Sequence, residues 1–279
     1  MEIYQGIILG ILQGLTEFLP VSSSGHLALG QSFFGITEPA LFFNVSLHMG
    51  TLLAVVVVFF QDIKRMVMAL LGLIRQSFSG KEALETLKKD ENIRFVFLII
   101  AASIPTAILG LGFKPYVHTL FSSVSFVGCM LLITGTFLWM TRHASPKGVG
   151  VMEFSVKKAL WIGICQGLAV LPGISRSGST ISAGLFFGID RETAARFSFL
   201  LSIPAILGAE ILSIKDFMEK GSSINVGATL CGTLISFVVG YAALVLLMRI
   251  VRNGRLYLFA PYCWALGIAA IIVGYIFYT

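Results

Sequence analysis

Charge is what this sequence has least of. Asp, Glu, Lys and Arg make up 12% of its 279 residues, while 56% are hydrophobic, and the mean hydropathy is +0.90. So few charged side chains cannot cover a water-exposed surface, which excludes a soluble globular enzyme. Paired cysteines are also missing. Cys129, Cys165, Cys231 and Cys263 each lie alone in an apolar stretch, with no C-x-x-C spacing for zinc, redox chemistry or a disulfide framework. The N-terminal Met-Glu-Ile-Tyr has no basic region and no small-residue cleavage site after it, so a cleaved signal peptide is not expected. No H-E-x-x-H, G-x-x-x-x-G-K-[ST] or G-x-G-x-x-G occurs in the right context, which removes zincin, P-loop and dinucleotide functions.

What is present is apolar sequence in long runs. Crossing about 30 Å of hydrocarbon takes roughly 20 helical residues, and six stretches qualify: 41–60, 93–112, 123–141, 196–213, 226–248 and 256–278. Two more, 3–30 and 159–188, are broken in the middle by Pro, Gly and clustered Ser. A helix cannot run straight through such a break, and free backbone groups at membrane depth survive only where protein or a wet cavity satisfies them. Both regions therefore read as re-entrant helix hairpins. They also resemble each other. Displaced by 153 residues, Gly10, Ile11, Gln13, Gly14, Leu15, Ser22, Ser24 and Gly25 fall on Gly163, Ile164, Gln166, Gly167, Leu168, Ser175, Ser177 and Gly178. Eight identities in sixteen positions, against about one by chance, indicate a tandem duplication. Repeat 1 covers 1–145 and repeat 2 covers 155–279, each a hairpin followed by three spans. An odd number of crossings makes the second copy enter from the opposite face, so the expected fold is an all-α polytopic membrane protein with an inverted-topology repeat.

The net charge of +6, from 20 Lys and Arg against 14 Asp and Glu, follows from topology rather than from nucleic acid. Sixteen basic residues lie in 61–94, 142–158, 189–196 and 249–255. Only Lys114, Lys215 and Lys220 fall on the other side, and Arg176 sits inside a hairpin. Placing the sixteen in the cytoplasm puts both termini outside, with cytoplasmic loops at 61–92 and 142–158.

The ionisable residues inside apolar regions are Glu17, His26, His48, Arg176 and Glu210. Each costs about 2.5–3.5 kcal/mol at mid-membrane even on lenient scales, so each is a candidate for function. In QGLTEFLPVSSSGH, Gln13 and Glu17 share one helical face, Pro20 breaks the helix, and Ser22, Ser23, Ser24, Gly25 and His26 follow. Glu17 and His26, brought together across the break, would form an acid/base pair. The serines would cap the second half-helix or supply a nucleophile. In PGISRSGST, Gly173 and Gly178 permit close backbone approach, and Ser175, Ser177, Ser179 and Thr180 surround Arg176 with hydroxyls. Half-helix amides plus an arginine fork suit phosphate, although Arg176 could instead only tie the hairpins together through Glu17. The two copies differ at their polar positions, Glu17 aligning with Val170, Ser23 with Arg176 and His26 with Ser179, a division that suits phosphoryl transfer. His48, beside Asn44, Ser46, Gly50 and Thr51, is expected to line the cavity. Glu210 is expected to snorkel to headgroups, and His118 and His143 receive no role.

QGLTEFLPVSSSGH at 13–26 and LPGISRSGST at 171–180 resemble the motifs of the undecaprenyl-diphosphate phosphatase family, also called bacitracin-resistance proteins, and the resemblance covers essentially the full length. It implies an integral membrane hydrolase that removes the terminal phosphate of a C55 isoprenyl diphosphate carrier. The products would be inorganic phosphate and the monophosphate used in cell-wall synthesis. Carried over by motif, Gln13 and Glu17 occupy the acidic pair position, His26 is the family histidine, and Arg176 is the phosphate-binding arginine flanked by Ser175 and Ser177. Where many members have a first glutamate, this chain has Gln13. The resemblance alone implies help from a divalent cation, Mg2+ or Ca2+, with no ligands identified. Phosphatidic acid phosphatases do not fit, because the residue six after Arg176 is Ser182 and no K-x6-R-P string is present.

The expected mechanism has Arg176 and half-helix amides holding the diphosphate, with Gln13, Ser22, Ser24, Gly173, Ser175, Ser177, Gly178 and Thr180 as binding residues. Glu17 and His26 would activate a nucleophile, which is Ser23, His26 itself or water. The expected partners are the bilayer and a polyisoprenyl diphosphate lipid, with a second copy of the chain as a candidate neighbour and no nucleic acid. The expected place is the bacterial inner membrane, with the site open to the external side. A lipid-phosphate transporter or flippase is the alternative that an inverted repeat supports.

Overall fold

The computed structural model describes residues 1–36, 41–76, 89–116, 119–120, 123–145, 147–220 and 225–278. His118 and residues 77–88 of the expected loop at 61–92 lie outside the described residues. The described residues are helical except for turns and one isolated bridge between Val149 and Ile189. In chain order the helices are α1 (Ile3–Phe18), α2 (Ser23–Phe33), α3 (Leu41–Val58), α4 (Phe60–Gln76), α5 (Glu91–Phe113) and α6 (Val124–Met140). Then come α7 (Val156–Leu168), α8 (Arg176–Phe186), α9 (Arg191–Lys220), α10 (Val226–Arg252) and α11 (Ala260–Tyr278). Among the described residues five helices are long and apolar enough to cross a membrane, or six if the pair α3 and α4, bent by 74°, counts as one span.

Both expected breaks are present. α1 stops at Phe18 because Leu19, which precedes Pro20, takes an extended ψ of 137°. The chain then passes through Ser22 at φ +68°, an unusual conformation for a residue with a side chain, before α2 begins. α7 stops at Leu168, and the chain turns at Gly173, whose φ is +98°. A Cβ there would run into the carbonyl oxygen of Val127 on α6, so glycine is required by both conformation and space.

Residues 61–76 are not loop. They continue as α4, which sets Asp62 against Arg196 of α9 and exposes Val67, Met68, Leu71 and Ile74.

Small residues decide how the helices cross, as is usual where lipid provides no hydrophobic drive for association. Gly6 and Gly10 of α1 lie against the backbone of Ala228 and Gly232 on α10, so close that a Cβ would strike a carbonyl oxygen. Gly163 of α7 lies equally close to Ala102 of α5, and Gly128 of α6 faces Gly267 of α11. Phe18, at the tip of the first hairpin, is fully buried and meets Phe199 of α9 edge-on at 5.8 Å. Packing on these glycines and aromatics brings the two hairpin tips to one place.

Candidate active site

The tips touch directly. Ser177 donates its hydroxyl to the Phe18 carbonyl at 2.8 Å, and a Cβ on Gly178 would press on Pro20. Across this seam the Arg176 Nη2 donates to Glu17 Oε1 at 2.6 Å, with both side chains largely enclosed. The other Glu17 oxygen, Oε2, accepts from Ser23 Oγ at 2.8 Å and from Gln13 Nε2 at 2.8 Å. Glu17 is thus a 7% exposed carboxylate held by one cation and two neutral donors, the kind of complete partnering that makes a buried charge tolerable. Arg176 is less complete, because its Nη1 is buried and has no hydrogen-bond partner. Gln13 Oε1 is in the same condition.

The expected pairing of Glu17 with His26 is not made. His26 Nδ1 lies 2.9 Å from the Ser22 carbonyl, one turn back on its own helix, and its Nε2 lies 2.6 Å from the hydroxyl of Tyr262 on α11. The two rings stack, 15° apart in plane. The first contact requires a proton on Nδ1, so in the neutral ring Nε2 accepts from Tyr262. The imidazole near Glu17 is instead His48, 3.6 Å from Oε2.

The hydroxyls around Arg176 are mostly committed within the protein. Ser175 caps α8 by accepting from the Gly178 amide at 3.1 Å, so that amide is taken too. Ser179 donates to the Ser175 carbonyl and Thr180 to the Arg176 carbonyl. Ser175 Oγ and Ser177 Oγ stand 3.3 Å apart. Gly173 is tied to the same cluster through α6, its carbonyl accepting from Thr134 at 3.0 Å while the same Thr134 hydroxyl accepts from the Ser175 amide at 3.2 Å. These residues shape and fasten the second tip, and the donor left open there is Arg176 Nη1. At the first tip Ser22 makes no side-chain cap on α2, its hydroxyl lying 3.4 Å from that of Ser24. The first-turn amides of α2 therefore lack the side-chain acceptor that α8 has, and such amides attract anions.

Three contributors carry no motif. Tyr262 and Thr134 reach the site from α11 and α6, far away in sequence, and nothing in their local strings marks them. His48 lies in a visible polar strip but is bound at its Nδ1, not merely lining. Glu210 is 8% exposed with Oε2 buried and unpartnered, so it does not snorkel as its position in the span suggests.

A divalent cation would need several oxygen ligands. Among the described residues no three His, Cys, Asp or Glu side chains come together, and both Glu17 oxygens already take donors. The donor set does not fit a cation held by the protein alone.

Comparison with known proteins matches this sequence to a family. The model of a family described as bacitracin resistance protein BacA matches residues 6–269. A protein named undecaprenyl-diphosphatase from Desulforapulum autotrophicum is 59% identical over 276 residues, covering 99% of this chain and 100% of that protein. A protein of the same name from Desulfosudis oleivorans is 58% identical, covering 98% and 99%. One from Methanosphaera stadtmanae is 43% identical, covering 98% of each chain. With the match running through both hairpins and nearly every span, this chain belongs to the bacitracin resistance protein BacA family.

Proposed function

We infer that this chain is a membrane hydrolase converting undecaprenyl diphosphate to undecaprenyl phosphate and inorganic phosphate, which returns the lipid carrier to peptidoglycan synthesis. The observation that carries the reading is Arg176, a buried guanidinium with Nη2 fixed on Glu17 and Nη1 without a partner. An unpaired buried donor is costly unless a ligand completes it, and a guanidinium fork matches phosphate oxygens. In this reading Nη1 and the first-turn amides of α2 bind the terminal phosphate, while the polyisoprenyl tail stays in hydrocarbon.

The nucleophile in this reading is Ser23, because its hydroxyl already points its proton at Glu17 Oε2. As Oγ attacks the terminal phosphorus, the proton passes to Glu17 and the bond from phosphorus to the bridging oxygen breaks. Undecaprenyl phosphate leaves and takes that proton. Water then displaces the phosphate from Ser23, again with Glu17 as base, and the serine recovers its proton. His26 braces the Ser22 turn, and its Nε2, which accepts from Tyr262 in the neutral ring, is the atom that can carry the proton released by Glu17 before the departing group takes it. A divalent cation, expected from the resemblance alone, would arrive on the diphosphate oxygens rather than in a protein cage.

The reciprocal glycine crossings, α1 on α10 and α7 on α5, support an inverted repeat in which each hairpin packs on the second span of the other copy. The skew of basic residues supports external termini and a site open to the external side of the inner membrane. The nucleophile is tested by Ser23→Ala. A loss of turnover of about 100-fold or more with retained lipid binding supports serine. A mild loss moves the attack to water.

A further inference from the structure

Among the described residues His48 is the imidazole that reaches Glu17, and neither long motif contains it. From α3 its Nδ1 stands 3.0 Å from Gln13 Nε2. Gln13 Nε2 also donates to Glu17 Oε2 at 2.8 Å. An amide nitrogen offers two hydrogens and accepts nothing, so one N–H goes to the carboxylate and the other to the imidazole. That arrangement requires an unprotonated Nδ1, with the neutral ring's proton on Nε2. The opposite amide orientation would set Gln13 Oε1 against the Glu17 carboxylate, two acceptors with no proton between them. The observed orientation persists although it leaves Oε1 buried and without a partner.

We propose that His48 is a positioning residue for the reaction, acting through Gln13 on the Glu17 oxygen that takes the nucleophile's proton. Neutral His48 accepts from Gln13 and fixes the amide, and the amide fixes Oε2 toward Ser23. A proton on Nδ1 would face the Gln13 N–H donor against donor. It would turn instead toward Glu17 Oε2, 3.6 Å away, and compete there with Ser23. The charged groups around His48 are Glu17 from α1, Arg176 of α8 behind it, and the buried Glu210 of α9, within electrostatic range of both His48 and Glu17. The α10 stretch 226–248 carries no charged residue, and the charges of α4 begin at Asp62, beyond the bend. An imidazole can take up a proton at Nδ1 and an asparagine amide cannot, so the two side chains differ in whether this contact to Gln13 can be lost to protonation.

The proposal rests on the phosphatase reading, and wild-type turnover separates the two: a purified wild-type protein that releases no phosphate from undecaprenyl diphosphate removes that reading whatever His48 does. With wild type active, kcat is followed against pH for His48→Ala and His48→Asn in detergent. Asparagine places an acceptor near the position of Nδ1 and does not take up a proton. His48→Ala should lower kcat about tenfold at neutral pH with KM little changed, since misplacement of a catalytic group is felt in the transition state. His48→Asn should recover most of that loss and decline less than wild type on the acidic side. Combining His48→Ala with Gln13→Ala should cost little more than Gln13→Ala alone, because both act through one amide. Wild-type kcat in His48→Ala, or His48→Asn no better than His48→Ala, overturns the proposal. If His48→Ala does not fold, the acidic limb of His48→Asn decides, and a limb identical to that of wild type overturns it.

Discussion

Arg176 holds Glu17 with one nitrogen and keeps the other open, so the two contacts proposed for it depend on a planar fork. Lysine supplies one compact ammonium that cannot face both Glu17 and a phosphate. Arg176→Lys should keep a wild-type elution profile and melting temperature in detergent but lose about 100-fold or more in turnover. Near wild-type turnover would show that only the positive charge matters. Tyr262→Phe keeps the ring stacked on His26 and removes the hydroxyl from Nε2. A lost hydrogen bond of about 0.5–1.5 kcal/mol predicts a fall in kcat of about two- to tenfold. No change in kcat would mean that Nε2 holds no proton during the reaction. Glu17 and Arg176 were legible in the sequence because both are ionisable residues in apolar runs, where few neutral explanations exist. Tyr262 was not legible, since it lies 236 residues from His26 in a span that offers ordinary reasons for a tyrosine. The partner of His26 is not legible in the sequence for a related reason. Nine positions apart across a break fixes no geometry, and a carbonyl one turn back was the nearer partner for the ring.

At the scale of elements the breaks were the most readable feature. Pro20 and the Pro172-Gly173 pair cannot continue a helix, so α1 and α7 end where the chemistry of the chain demands. α4 was missed because Lys64, Arg65 and Arg75 lower its hydropathy below that of a span, and a helix with mixed character reads as loop when only crossings are sought. Glycine contacts offer a direct test of this scale. Gly173→Ala must place a Cβ on the Val127 carbonyl at φ +98°. It should lower stability by about 1–3 kcal/mol, seen as a reduced melting temperature in detergent. Gly35, at φ +67° with open space around it, should tolerate alanine better. Equal losses at the two positions would mean that backbone conformation, not the crossing of the second tip with α6, sets the effect.

For the molecule as a whole, sixteen basic residues against three argue for one orientation. With the native cysteines replaced by serine, a cysteine at Gly35 should react with a membrane-impermeant thiol reagent in intact cells, and one at Lys147 should not. The reverse pattern would invert the topology and put the site on the cytoplasmic side. The likeness of the two hairpins is legible because ungapped identity survives between them. The crossings of α1 onto α10 and of α7 onto α5 are not, because glycine patterns give no partner. The central claim is that phosphate is cut from a lipid diphosphate at the seam between the two tips, with Glu17 as the group that takes the proton. Phosphate release from undecaprenyl diphosphate by purified wild type and Glu17→Gln measures it directly. Glutamine keeps an oxygen for Arg176 but turns an NH2 toward Ser23 and Gln13, and it cannot act as a base at neutral pH. Sustained release by wild type and a loss of about 100- to 10,000-fold in Glu17→Gln is the predicted result. Equal release by the two proteins, or none by wild type, would contradict it.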